Sequence, residues 1–116
     1  ERHGGRVVFC APRLTAREAE CARIVRETGA VLVHPFDDYF VMAGQGTAAL
    51  ELLEDAPGLD LLLCPVGGGG LLCGTAVAAK GAKPGLRVVG VEPELADDVA
   101  RSFRARERVS IPSPAT

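Results

Sequence analysis

Leu59-Asp60-Leu61-Leu62-Leu63-Cys64-Pro65-Val66-Gly67-Gly68-Gly69-Gly70-Leu71-Leu72 is the stretch on which the fold turns. Leu59 to Val66 is almost continuously apolar, which suits a central parallel strand covered on both faces. Four glycines follow without a break. A helix then starts at about Leu71 and continues to Lys80, apolar nearly all round and therefore expected to be buried.

The same alternation extends in both directions. Downstream, Lys83-Pro84-Gly85 turns the chain into a strand over Arg87-Val91, which Glu92 and Pro93 end. A last helix is predicted from Asp97 to Arg106. Upstream, Arg6-Cys10 and Val31-His34 read as short buried strands closed by Pro12 and Pro35. Between them, Thr15-Ala16-Arg17-Glu18 has the spacing of a capping box, and Gly29 stands where a helix C-cap is wanted. Asp37 or Asp38 can cap the next helix. Thr47 to Glu54 is clearly helical, whereas Gly44 and Gly46 weaken the case for residues 39–46. The order is β-α-β-α-β-α-β-α with short connections. It predicts an α/β fold: a three-layer sandwich, mainly parallel, with helices on both faces of the sheet.

Composition narrows the function. The 116 residues carry 13 basic and 15 acidic side chains, a formal net charge of -2. No large positive field is available to hold a nucleic-acid backbone, so no nucleic-acid partner is expected. A hydrophobic content of 47% argues against disorder. No apolar run approaches about 20 residues, so no membrane partner is expected, and Glu1-Arg2-His3-Gly4 does not read as a signal peptide. The four cysteines, Cys10, Cys21, Cys64 and Cys73, form no CxxC pair and no zinc-ligand spacing. They are expected to be reduced, buried thiols of a cytoplasmic protein.

The glycine run carries the chemistry. Each glycine loses the most backbone entropy on folding, so four in a row need a reason. Between a buried strand and a helix start, successive amides can point at one spot. With the positive end of the helix dipole they make an anion site, usually for phosphate. The Walker pattern fails because Thr75 follows Gly74 directly and no Lys is present. The G-x-G-x-x-G pattern fails because Leu72 and Cys73 stand where its last glycine belongs. A single phosphate monoester held by backbone amides remains.

Other candidates are weaker. Val91-Glu92-Pro93-Glu94-Leu95-Ala96-Asp97-Asp98 gathers four carboxylates at a strand's C-terminal end. They suit a hard cation, but from spacing alone helix capping by Asp97 and Asp98 is favoured. Lys80 and Lys83 are the only lysines; Lys80 near a helix C-terminus complements its dipole. His34 beside Asp37 and Asp38 reads best as an ordinary hydrogen-bonded histidine.

Taken together, His34-Pro35-Phe36-Asp37-Asp38, Gly44-Gln45-Gly46-Thr47, Pro65-Val66-Gly67-Gly68-Gly69-Gly70-Leu71-Leu72 and Gly90-Val91-Glu92-Pro93 resemble the serine/threonine dehydratase and serine racemase family. These are pyridoxal-phosphate enzymes of the tryptophan synthase β-type fold. The resemblance covers essentially the whole chain. It implies pyridoxal 5'-phosphate as cofactor, an amino-acid substrate and a homodimeric parent. It implies that Gly67, Gly68, Gly69 and Gly70 bind the cofactor phosphate through their amides, with Leu71 supplying the next one. From the racemase branch it implies a divalent cation (Mg or Ca) on Glu92, the Ala96 carbonyl and Asp98.

The departures are equally informative. The family's Ser-x-Lys segment with its cofactor-linked lysine, its Ser-x-Gly-Asn-His substrate loop and the polar group that meets the pyridine nitrogen have no counterpart here. The expectation is a middle section of a larger ammonia-lyase or racemase. Residues 1–36 would end the small domain and residues 37–116 would form part of the large, phosphate-binding one. The opening Glu1 and the Ile111-Thr116 end fit such a section. No catalytic residue is expected in the chain, nor amino-acid turnover by it alone. The alternative is a non-catalytic phosphate-binding module or an inactive remnant.

Overall fold

The computed structural model describes residues 3–111. Most of the expected Ile111-Thr116 tail, and Glu1 and Arg2, lie outside those residues. The chain divides into two compact units, Glu1–Val33 and His34–Thr116.

The first unit is built on α1 (Leu14–Thr28). The expected capping box does not form. The Arg17 amide donates to the Arg13 carbonyl at 3.1 Å, so the helix starts at Leu14. Thr15 is then already inside the first turn, away from the cap position its hydroxyl needs. The other end follows the sequence: Gly29 adopts φ 68° and its amide closes on the Val25 carbonyl at 2.9 Å. Arg23 pairs with Glu20 and Glu27 on the exposed face, contacts worth little in water. The expected strands Arg6-Cys10 and Val31-His34 have no ladder partner among the described residues. Apolar content marks a wish for burial, but a strand exists only where a neighbour accepts its hydrogen bonds. Phe9 and Val31 are left exposed.

The second unit runs α2 (Tyr39–Asp55), β1 (Leu61–Pro65), α3 (Gly70–Ala82), β2 (Arg87–Val91) and α4 (Asp98–Ala105). The two strands pair in parallel, Leu61 opposite Arg87 through Pro65 opposite Val91. A β-α-β unit with a parallel sheet therefore stands where the sequence placed its last two strands, and the α/β class holds. Four strands were expected and two form. One sheet face is covered: Leu62, Cys64 and Val88 point inward, whereas Leu61 and Leu63 are exposed.

Helix α2 begins earlier than the Thr47 start that was clear from sequence. Asp38 Oδ1 accepts from the amides of Phe40 (2.8 Å) and Val41 (3.1 Å), fixing the first turn. Gly46 does not break the helix, because it is where α2 meets α3. A Cβ on Gly46 would lie 2.8 Å from the Gly74 carbonyl oxygen, and one on Gly74 would collide with the Met42 carbonyl. The two backbones touch, which only glycine allows.

Below this contact, Ala49, Ala79 and Leu86 are fully or almost fully buried, with Leu53, Leu59, Leu62, Ala78 and Val88 around them. Burying Leu86 contributes about 1.5–3 kcal/mol. Helix α3 is not buried all round: Gly70, Gly74, Thr75 and Ala79 face inward and Val77 is exposed. All four cysteines are free, but only Cys64 is buried; Cys10 and Cys73 are exposed. Among the described residues no helix is long and apolar enough to cross a membrane.

Candidate functional site: a glycine loop at the start of α3

The C-terminal end of β1 delivers the chain into Gly67-Gly68-Gly69, and α3 starts at Gly70. Gly69 is the N-cap residue at φ 91°, a left-handed conformation that side chains disfavour. Val66 is the last ladder residue, its amide donating to the Val91 carbonyl at 2.9 Å, and Cys73 is the next to donate, to Gly69 at 2.9 Å. Among the described residues, none of the six amides from Gly67 to Leu72 has an acceptor in the chain. Three of them are the ordinary orphans of a helix start, and three more precede it in the loop. Gly70 is itself buried, where an unpaired amide is costly.

The loop lines a cavity of about 370 Å³. Gly67, Gly68 and Gly69 form one wall; Phe36, Asp98 and Arg108 are on others. The four glycines differ in their surroundings. A Cβ on Gly68 would collide with the Phe36 ring, and one on Gly70 would lie 2.9 Å from Phe36 Cα. Gly69 needs its positive φ. Gly67 has neither constraint, since its φ is not positive and a Cβ there would meet nothing within 4 Å.

His34 is the hydrogen-bonded residue the sequence favoured. Its Nδ1 accepts from the amides of Asp37 (2.8 Å) and Phe36 (3.5 Å), so that nitrogen carries no proton. Its ring meets Phe36 edge-on, centroids 4.6 Å apart. Lys80 Nζ donates to the Pro84 carbonyl, and Lys83 Nζ to those of Pro57 and Leu59. Both lysines are at the far end of α3, at least roughly 15 Å from the loop at 1.5 Å per residue.

The acidic turn behaves differently from either expected role of Asp97 and Asp98. Asp97 is the N-cap residue of α4 but makes no capping hydrogen bond. Glu92 does that work from the end of β2: Oε1 accepts from the Val99 amide (3.1 Å) and Oε2 from Ala100 (2.7 Å). Asp97 instead pairs with Arg101, Oδ1 to Nε 2.7 Å. That hydrogen-bonding contact, and then the Arg101 charge, hold the Asp97 carboxyl below the usual carboxylate range. Among the described residues no three His, Cys, Asp or Glu side chains converge on a metal position. The expected set has only two, Glu92 and Asp98, with the Ala96 carbonyl as third ligand.

Phe36, Ser102 and Arg108 were not singled out by sequence as cavity residues. Phe36 stood in a quoted motif without a role. Nothing in the local pattern marks Arg108, which reaches the cavity because Ser102 accepts from the Val109 amide at 2.9 Å and draws the chain back along α4.

A family profile described as "Pyridoxal-phosphate dependent enzyme" matches residues 1–116. The chain belongs to that family. It is 42% identical over 116 residues to a serine racemase of Oryza sativa subsp. indica, spanning 100% of this chain and 34% of that protein. It is 44% identical over 115 residues to a beta-hydroxyaspartate dehydratase of Paracoccus denitrificans, covering 36% of it. Among solved structures, maize serine racemase superposes with a TM-score of 0.91 at 41% identity, over 97% of this chain and 34% of that one. A crystal structure of a bacterial-type threonine deaminase gives 0.89 at 46% identity, over 97% and 38%. The chain thus spans about a third of the length of these relatives.

Proposed function

We propose that the chain is the phosphate-anchoring section of a pyridoxal-phosphate-dependent dehydratase (ammonia-lyase) or racemase acting on serine, threonine or a related hydroxy-amino acid. The observation that carries this reading is the run of six consecutive amides, Gly67 to Leu72, without acceptors in the chain. A phosphate dianion placed at Gly67, Gly68, Gly69, Gly70 and Leu71 satisfies them and sits at the positive end of the α3 dipole. Gly67 supports it: no packing or φ requires glycine there, so its missing side chain leaves room for a ligand. A stand-alone phosphate module is the weaker reading, since the relatives are racemases and dehydratases over the whole match.

When bound, the cofactor's ring supplies the electron sink for chemistry at the amino-acid Cα. This chain's part is to bind and orient the phosphate end. Lys80 and Lys83 are held by carbonyls at the opposite end of α3. The lysine that links to the cofactor therefore comes from another section, and this chain alone turns over no amino acid. The unit Glu1–Val33 belongs with the small domain and most of the rest with the large one.

A divalent cation on Glu92, the Ala96 carbonyl and Asp98 fits the donor chemistry. Each Glu92 oxygen accepts one N–H and keeps a lone pair. Asp98 also lines the cavity beside the glycine loop, so a cation there would offset carboxylate charge next to a bound phosphate. The free, unpaired cysteines agree with a cytoplasmic protein.

The test is made on the complete enzyme carrying this section. Serine or threonine yielding a keto acid with ammonia, or the opposite enantiomer, supports the proposal. Full cofactor-dependent turnover of neither, with another amino acid consumed instead, overturns the substrate class. Loss of cofactor with Gly67→Asp, at unchanged folding, supports the phosphate assignment.

A further inference from the structure

We infer that the His34-Phe36 turn is a positioning device for the glycine loop, holding Gly68 and Gly70 in the conformation that presents the loop amides. The inference rests on the phosphate reading above and assigns residues to it that carry no role there.

The contacts form a continuous chain. Phe36 is the side chain that meets the loop at both places where a methyl group would collide: its ring over Gly68, its own backbone and Cβ against Gly70. Gly70 is the first residue of α3 and Gly68 precedes the left-handed Gly69, so Phe36 grips the loop on both sides of its sharpest bend. Four consecutive glycines have no rotamer or side-chain contact of their own to choose one conformation. The choice has to come from outside the loop.

Phe36 is fixed in turn. His34 Nδ1 accepts from the Asp37 amide at 2.8 Å and lies 3.5 Å from the Phe36 amide. The imidazole abuts the Phe36 ring at 4.6 Å and an interplanar angle of 85°, an attractive edge-to-face arrangement. Two residues on, Asp38 caps α2, and α2 is locked to α3 where Gly46 meets Gly74. The turn is therefore tied at one end by an imidazole and at the other by a helix that touches the same α3 the loop begins. A loop held in its binding conformation before the anion arrives loses less entropy on binding.

The test titrates inorganic phosphate into the chain and three variants, Phe36→Ala, Phe36→Leu and His34→Ala, following 31P and amide resonances. Urea midpoints are recorded alongside. Phe36→Ala is expected to weaken phosphate binding by about tenfold, with the conservative Phe36→Leu in between. The heteronuclear NOE of the Gly67, Gly68 and Gly69 amides should fall while those of β1 and the body of α3 stay unchanged; a merely structural role would not produce that local pattern. His34→Ala should give a smaller loss of the same kind, and it stands in if Phe36→Ala does not fold. Wild-type binding with all folded variants within twofold of it, and the loop amides equally rigid, overturns the inference while leaving the phosphate reading intact. No phosphate binding by the folded wild-type chain overturns the phosphate reading, and this inference with it.

Discussion

Replacing Gly67, Gly68 and Gly69 singly with alanine separates what the fold needs from what a ligand would need. Gly69 has φ 91°, and an alanine held in a left-handed conformation costs about 1–2 kcal/mol. Alanine at Gly68 drives a methyl group into the Phe36 ring, an overpacking expected to cost roughly 1–3 kcal/mol. Alanine at Gly67 meets nothing within 4 Å at a φ that is not positive. There it restricts the unfolded chain and stabilises by about 0.4–1 kcal/mol. Urea denaturation followed by circular dichroism reads these differences; each kcal/mol moves the midpoint by roughly 0.3–1 M for a small domain. Gly68→Ala combined with Phe36→Ala should recover part of the Gly68 loss, because the two changes share one contact. The same Gly67→Ala variant should nevertheless bind phosphate more weakly than wild type. A Gly67→Ala chain destabilised as much as Gly69→Ala would refute this division of roles, because it would show a structural requirement where open space is described.

Further outcomes follow from individual contacts. Glu92→Ala removes the acceptor for the Val99 and Ala100 amides and should cost about 0.5–2 kcal/mol, seen as faster hydrogen exchange through α4 with α2 and α3 unchanged. Gly74→Ala should force α2 and α3 apart where their backbones touch and cost at least about 1–3 kcal/mol, read as a lowered urea midpoint. The depressed Asp97 carboxyl binds its proton less readily folded than unfolded. The stability from its Arg101 pair is therefore present above the ordinary aspartate range and lost as pH falls through the depressed value. Arg101→Leu should move the Asp97 titration, followed by NMR, back up toward that range. Incubating the purified chain with serine and pyridoxal phosphate should release no ammonia, because Lys80 and Lys83 are committed to carbonyls away from the loop.

The parts of the fold that were legible in sequence are those whose signal is local. The apolar run before Gly67, the Gly29 stop, the Asp38 cap and the β2 run each state their own conformation. Helix α2 was legible only from Thr47, since Gly44 and Gly46 count against a helix unless the partner backbone at Gly74 is known. Arg6-Cys10 and Val31-His34 have strand composition, yet pairing is a property of two segments, and no second segment is present among the described residues. The Thr15-Glu18 pattern was misleading because one extra hydrogen bond, Arg17 to Arg13, moves the helix start.

At the site, the glycine run announced itself as an anion loop, but it could not be divided residue by residue without Phe36. Capping was legible at the acidic turn, and its agent was not. Glu92 reaches the start of α4 across a bend of the chain, so the spacing that pointed to Asp97 and Asp98 pointed to the wrong carboxylates.

The central claim is that the loop amides hold a phosphate. An amide-resolved titration of the isotopically labelled chain with inorganic phosphate addresses it directly. The account predicts saturable shifts concentrated at Gly67, Gly68, Gly69, Gly70 and Leu71, at the acceptor-free start of α3. Unmoved loop amides at saturating phosphate, or shifts confined to the arginines around α4, would contradict it.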